Sequence, residues 1–137
     1  MKSLLSVCAA LAGLAIAYPA QATCTQSNMT GTWEAYSISV DRSVIYWVGC
    51  QLVIGANGKF SATNSGCTAS DNSSSRAQGS LILVNAPTCA YQGSIEIVNT
   101  GSVSTIRQVT LAMTKDIGQG VGNFPGGGFV FSLVRTK

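Results

Sequence analysis

The sequence predicts an all-β, antiparallel, single-domain protein, and three observations support this class. Apolar and polar residues alternate with period two in seven segments, which is typical of half-buried strands. No segment after the first 22 residues carries the 3.6-residue apolar stripe of an amphipathic helix. Clusters of glycine, asparagine and proline separate the segments and indicate turns. The chain has 137 residues, which is the size of one domain.

The alternation defines each predicted strand in turn. In the first strand it places Tyr36, Ile38 and Val40 on one face. In the second strand Tyr46 and Cys50 share a face with the intervening apolar residues. An Asn-Gly turn follows that second strand and leads into a short third one. The seven predicted strands are 33–40, 44–54, 59–63, 80–84, 89–98, 103–114 and 129–134.

Two longer stretches between these strands are predicted as loops. Residues 65–78 are polar and rich in serine, which is typical of a mobile surface loop. Residues 118–128 hold six glycines in eleven positions and are predicted to form a long hairpin loop with Phe124 at its tip. A phosphate-binding loop is disfavoured there because a strand, and not a helix, is predicted to follow. Phe124 is therefore a candidate contact residue for a partner.

Residues 1–22 have the three parts of a secretory signal peptide. Lys2 supplies the positive charge, an apolar run follows, and Ala20-Gln21-Ala22 forms a small-x-small cleavage site. We expect a mature domain of residues 23–137 that is secreted or periplasmic. The apolar run is short for a membrane span and is broken by Pro19, so we expect no transmembrane segment in the mature chain.

Four cysteines remain after removal of the predicted signal peptide, and an even number in a small exported domain predicts two disulfides. The hairpin directions favour the pairs Cys50–Cys67 and Cys24–Cys89 among the three possible pairings. A zinc site built from the four thiolates is disfavoured because no C-x-x-C pair is present. We predict no metal site and no cofactor.

The composition argues against catalysis. The chain has no histidine and only 9% charged residues, which excludes His-based nucleophilic and acid–base chemistry. Its five carboxylates are scattered over turns and strand faces, so no paired acid and base is visible. The formal charge of +3 is too small to indicate a nucleic-acid partner. We therefore expect a protein that is not an enzyme.

A motif at each end of the predicted domain resembles the calycin pattern of lipocalins and avidins. Gly31-Thr32-Trp33 opens the first strand, and Arg135 lies in the last. The resemblance implies a lipocalin-like up-and-down barrel of seven or eight strands. It also implies that Gly31, Trp33 and Arg135 close one end of the barrel, with the guanidinium stacked on the indole. Biotin is not carried over, because the several tryptophans of avidins are absent.

The favoured function is a non-catalytic binding protein that holds a small apolar ligand inside the barrel. A solid core is the competing possibility, since an eight-stranded barrel is just wide enough to be filled by side chains. The candidate ligand-contacting residues are the aromatic side chains predicted to face inward: Tyr36, Tyr46, Tyr91, Phe129 and Phe131.

The alternative function is a protein-binding exported factor with a solid core, such as an inhibitor or a surface or adhesion module. If Cys50 points inward, Ile45 and Trp47 point outward and form an apolar strip suited to a partner. The early G-x-W motif is also similar to that of bacterial exported inhibitors of secreted metalloproteases. That resemblance implies that the N-terminal segment 23–30 would block the enzyme.

Overall fold

The fold is a closed eight-stranded barrel preceded by one turn of 3₁₀ helix, Gln26–Met29. The computed structural model describes residues 23–41 and 44–137, so the predicted signal peptide lies outside the described residues. Within the described ranges no helix is long and apolar enough to cross a membrane. The strands are β1 (Gly31–Asp41), β2 (Val44–Ile54), β3 (Gly66–Ala69), β4 (Ser74–Asn85), β5 (Ala90–Ile97), β6 (Ser102–Leu111), β7 (Ile117–Phe124) and β8 (Gly127–Arg135).

Each strand pairs antiparallel with the next one along the chain, and β8 pairs antiparallel with β1. An even number of strands lets an antiparallel barrel close in this way. The strand order confirms the predicted up-and-down topology. Both predicted disulfides are confirmed as well. Cys50 and Cys67 lie directly opposite each other on β2 and β3, and Cys24 is joined to Cys89 before β5.

The glycine-rich stretch is a strand and not a loop, so the prediction for residues 118–128 is wrong. Most of it forms β7, and only two residues connect β7 to β8. The inward-facing positions of β7 are glycines because the bulky side chains of β8 lie over them. A Cβ atom at Gly120 would lie 2.7 Å from Cε1 of Phe131, and one at Gly122 would lie 2.6 Å from Cε1 of Phe129. Small residues on one strand thus accommodate large ones on its neighbour.

The serine-rich stretch is also strand, which corrects the prediction of a mobile loop at 65–78. It contains β3 and the beginning of β4, joined by a short turn. The inward positions in this region, Cys67 and Ala77, are 7% and 0% exposed. The serines satisfy the strand ladder with their backbones and leave their hydroxyls near solvent. Because β3 and the beginning of β4 present few apolar side chains, hydrophobic alternation does not detect them in the sequence.

The predicted strand at 59–63 is absent, and its residues help to cover one end of the barrel. Only two isolated bridges form, between Ile54 and Phe60 and between Lys59 and Ser80. Phe60 is buried, and its amide donates a hydrogen bond to the carbonyl of Gly79. The apolar pattern of this segment thus reflects a side chain packed against the core of the barrel.

The most deeply buried side chains occupy the half of the barrel nearest the 3₁₀ helix. They form one continuous cluster with the two disulfides. The opposite half, where β5 meets β6 and β7 meets β8, contains the interior space described below. The fully buried large side chains are those of Met29, Trp33, Ile54, Leu81, Tyr91, Val109 and Leu133.

Candidate ligand cavity and the closed end of the barrel

Trp33 and Arg135 pack against each other at the end of the barrel that the 3₁₀ helix covers. We call this the closed end. The indole Nε1–H of Trp33 donates to the carbonyl of Met29 at 2.8 Å, and the ring is fully buried. The guanidinium carbon of Arg135 lies 4.6 Å from the centroid of the Trp33 ring, which is within cation–π range. Because an indole buried without a hydrogen-bond partner is costly, this contact favours one position for the helix.

Arg135 also ties three chain segments together through its donors. Its terminal nitrogens donate to the carbonyls of Thr30, at 2.8 Å, of Lys115, at 3.1 Å, and of Asn28. Its Nε lies 3.1 Å from a carboxylate oxygen of Asp116. The planar fork of arginine suits this role, because several carbonyls can be met at fixed angles.

Gly31 lets the chain pass from the helix into β1. Its φ angle of +128° is in the region that favours glycine. A Cβ atom there would lie 2.6 Å from the carbonyl oxygen of Lys137, which itself accepts a hydrogen bond from the amide of Thr32. The glycine of the motif is therefore required by both backbone conformation and space.

Further contacts fix the helix to the strands beneath it. The Gln26 side-chain amide donates to the carbonyl of Leu81 at 2.8 Å and accepts from the amide of Leu83 at 2.7 Å. The Tyr91 hydroxyl donates to the carbonyl of Thr25 at 2.8 Å. Burial raises the pKa of Tyr91, although the positive charge of Arg135 lowers it in part, so the phenol stays a donor at neutral pH. This end of the barrel is sealed.

A cavity of about 130 Å³, partly open to solvent, occupies the other half of the barrel. Its walls come from β1, β2, β4, β5, β6, β7 and β8, and none of the lining side chains that the structure describes is ionisable. A neutral, mostly apolar wall disfavours a charged occupant, because a charge transferred there would lose its hydration. The lining residues are Ala35, Ser37, Ser39, Val48, Cys50, Leu52, Leu81, Ile95, Ile97, Ser104, Ile106, Phe124, Phe129, Phe131 and Leu133.

Three phenylalanines form an aromatic wall on one side of this cavity. The ring centroids of Phe124 and Phe129 are 6.4 Å apart in a stacked arrangement. Those of Phe129 and Phe131 are 5.7 Å apart and tilted. The inward-facing glycines of β7 leave the space in which the rings of β8 lie. The wall offers extended π faces to a flat apolar molecule.

Serine hydroxyls supply the polar groups of the cavity. The Ser37 hydroxyl lies 3.3 Å from the carbonyl of Val48 and donates to it. Within the described part of the chain no hydrogen bond engages the hydroxyls of Ser39 and Ser104. These two groups are therefore free to donate to, or accept from, a polar atom of a bound molecule.

The predicted ligand-contacting residues have different placements. Phe129 and Phe131 line the cavity. Tyr36 is 59% exposed on the outer wall, so its predicted inward position is wrong. Tyr46 lies opposite Ser39 and is exposed, and it is not among the residues that line the cavity. Tyr91 is buried, but it belongs to the closed end and not to the cavity.

The faces of β1 are reversed relative to the prediction. This reversal explains both the wrong prediction for Tyr36 and the absence of Ser37 and Ser39 from the predicted cavity. The alternation predicts that the apolar residues of this strand face inward, but its inward set is Trp33, Ala35, Ser37 and Ser39. Side chains in a strand alternate strictly, so one inward residue determines the direction of all the others. The G-x-W resemblance already implied that Trp33 packs inside, and this was the signal that could have identified the serines.

The candidate partner-surface residues also separate into two groups. Ile45 and Trp47 lie on the outer wall of β2 and are 71% and 49% exposed. Phe124 is not at an exposed loop tip. It ends β7, is partly buried, and faces the cavity, which corrects its assignment to a partner surface.

Comparison with known proteins supports the fold alone. The structure is similar to a redesigned β-barrel, mFAP1, bound to DFHBI, with a TM-score of 0.60, 11% sequence identity, and coverage of 84% of this chain and 99% of that one. It is also similar to a de novo designed fluorescence-activating β-barrel, with a TM-score of 0.57, 12% identity, and coverage of 82% and 100%. No protein-family model matches the sequence, and no curated protein matches it.

Proposed function

We propose that this protein is a non-catalytic, lipocalin-like binding protein that holds a small, neutral, largely apolar molecule in its barrel cavity. The observation that carries the proposal is the cavity itself, which lies in a barrel sealed at its other end. It has an aromatic wall and serine hydroxyls that no hydrogen bond engages within the described residues. The two disulfides suggest an oxidising, extracytoplasmic environment, so we place the binding activity outside the cytoplasm.

The size of the cavity defines the class of ligand. An apolar protein cavity of about 150 Å³ holds one benzene molecule, and the present space is about 130 Å³. The cavity therefore suits a single ring, and any longer substituent would extend out of it toward solvent. A hydroxyl or carbonyl on that ring would meet Ser39 or Ser104.

The designed barrel of similar fold was determined with the small molecule DFHBI bound, which supports binding as a use of this architecture. The alternative of a protease-inhibitor-like N-terminal segment is less well supported. That segment is tied to the barrel by Cys24 and by Gln26, and its Met29 is fully buried. The segment is therefore neither extended nor free to enter the active site of another protein.

The test is a calorimetric titration of the disulfide-bonded protein with p-cresol, a single ring that carries one hydroxyl. We expect saturable one-to-one binding with a dissociation constant on the order of 0.1–1 mM, which is ordinary for so small a ligand. Ser104→Leu fills the cavity from β6 and should weaken binding at least about tenfold.

Thr105→Leu is the matched control, because residue 105 neighbours Ser104 on the same strand but is exposed on the outer wall. It should leave the affinity unchanged. Equal affinity in wild type and Ser104→Leu would place the binding outside the cavity and overturn the proposal. Absence of saturable heat with p-cresol, and with indole as a second single-site probe, would overturn it as well.

A further inference from the structure

The outer wall of the barrel carries an apolar face that is separate from the cavity. Its central row runs straight across four strands through Trp47, Ile38, Val130 and Val121, which lie opposite one another in successive strand pairs. We call the following seven residues the outer apolar face: Tyr36, Ile38, Val40, Ile45, Trp47, Val121 and Val130.

The outer apolar face is large for the surface of a small protein. Its seven side chains are each between 46% and 71% exposed. Together they present on the order of 700 Å² of apolar surface, against roughly 300–600 Å² for the largest patch of a typical monomer. A stable protein–protein interface buries about 800 Å² on each partner. The face and its rim therefore provide the area that one stable contact needs.

The shape of this region is a ridge beside a groove. The groove has a volume of about 720 Å³ and lies over β8 and β7, where the small side chain of Ser132 and the backbone of Gly120 line it. Tyr36 and Ile38 form one side of the groove, and the other side is polar, with Gln108 and Thr110 on β6. The exposed side chains of β2 and of the end of β1 form the ridge next to it.

A ridge and a groove side by side are self-complementary under two-fold symmetry, because the ridge of each copy can enter the groove of the other. The absence of charge on this surface is compatible with such a pairing. None of the seven side chains and none of the groove-lining residues is charged, so two copies of the face do not repel each other. A partner of different chemistry would be expected to match a charge pattern, and the face has none.

We propose that the protein forms a two-fold dimer in which the outer apolar face of one copy packs against the same face of a second copy. The face lies on the outer wall of the barrel, and none of its seven residues lines the cavity. The dimer proposal and the ligand-binding proposal can therefore be tested independently of each other.

The test is sedimentation velocity of the disulfide-bonded protein across about 1 μM to 1 mM, with Val130→Asp as the disrupting variant. Val130 lies in the central row, and a carboxylate there would be desolvated in each copy. We expect a dimer in the wild type and at least a 30-fold weaker dimer in the variant. Val84→Asp is the control, since Val84 is 54% exposed against 57% for Val130 but lies on β4, outside the face.

Val84→Asp should dimerise like the wild type, and all three proteins should keep the barrel circular-dichroism spectrum. A wild type that stays monomeric throughout the range would overturn the proposal, as would equal weakening by the two substitutions. A monomer that co-sediments with phosphatidylcholine vesicles, and loses this binding on Val130→Asp, would assign the face to a lipid surface instead.

Discussion

At the scale of single residues, glycine at the inward positions of β7 determines whether the aromatic wall of the cavity can form. Gly120 lies opposite Phe131, and Gly122 lies opposite Phe129. The two Phe rings occupy the volume that a Cβ atom on β7 would need. A larger residue at either position would push the rings into the cavity or displace the strand, so the glycines support both stability and the space for a ligand.

Gly120→Ala is expected to lower the free energy of unfolding by about 1–3 kcal/mol, the usual cost of overpacking. The added methyl group would lie 2.6 Å from the carbonyl oxygen of Gln108 as well as against the Phe131 ring. Urea denaturation followed by tryptophan fluorescence measures the change. Gly128→Ala on β8 is the control, because the nearest atom to its Cβ would be the carbonyl oxygen of Gly122 at 3.4 Å and Gly128 is exposed. Equal losses in the two variants would contradict this account.

Arg135 acts through the geometry of its guanidinium group and not through charge alone. Arg135→Lys keeps the charge but loses the planar fork that meets the carbonyls of Asn28, Thr30 and Lys115. We expect a loss of about 1.5–3 kcal/mol in the free energy of unfolding, the range for hydrogen bonds to charged groups. Arg76→Lys, at an exposed position of β4, should change it by less than about 0.5 kcal/mol. If the Arg135→Lys variant has the same free energy of unfolding as the wild type, the positive charge alone is sufficient to stabilise the closed end.

At the scale of elements, the sequence predicted those strands whose two faces differ in polarity. The strands β1, β2, β5, β6 and β8 show clear alternation, and their predicted positions agree with the structure to within a few residues. In β7 the inward face is glycine, and in β3 and the first part of β4 both faces are mostly small or polar. Hydrophobic periodicity carries no signal in such strands, because their partners supply the bulk.

The cavity was only partly predictable for a related reason. Phe129 and Phe131 were expected to face it, and they do. The serines are not predicted because hydrophobic alternation places the apolar side of β1 inside, whereas that side covers the outside of the barrel. An apolar outer wall violates the usual inside–outside rule. Only an independent inward marker such as Trp33 could have corrected the orientation of the strand.

The two disulfides constrain elements over different chain lengths. Cys24–Cys89 spans 65 residues and holds the segment before the 3₁₀ helix, whereas Cys50–Cys67 spans 17 residues between neighbouring strands. In the chain-entropy description, the longer loop gives about 4 kcal/mol and the shorter about 3 kcal/mol. We expect the Cys24→Ala/Cys89→Ala variant to be less stable than Cys50→Ala/Cys67→Ala by about 1 kcal/mol in chemical denaturation. The reverse order would show that the local pair contributes more than entropy predicts.

At the scale of the whole molecule, the barrel has two ends with different roles. One end is sealed by the 3₁₀ helix, Trp33, Arg135 and the disulfide to Cys89, and the other contains the cavity. The contacts of the sealed end give the barrel stability that does not depend on filling its interior. This division allows part of the core to remain empty, which a domain of this size otherwise tolerates poorly.

The central claim is that the cavity binds a small neutral ring. The most direct test is a two-dimensional ¹H–¹⁵N NMR titration of the disulfide-bonded protein with p-cresol. We predict saturable shifts at the amides of Ser39, Ser104 and Phe129, with one common dissociation constant, and little change at the closed end around Trp33. Shifts confined to the outer wall, or shifts that grow linearly without saturation, would contradict the claim.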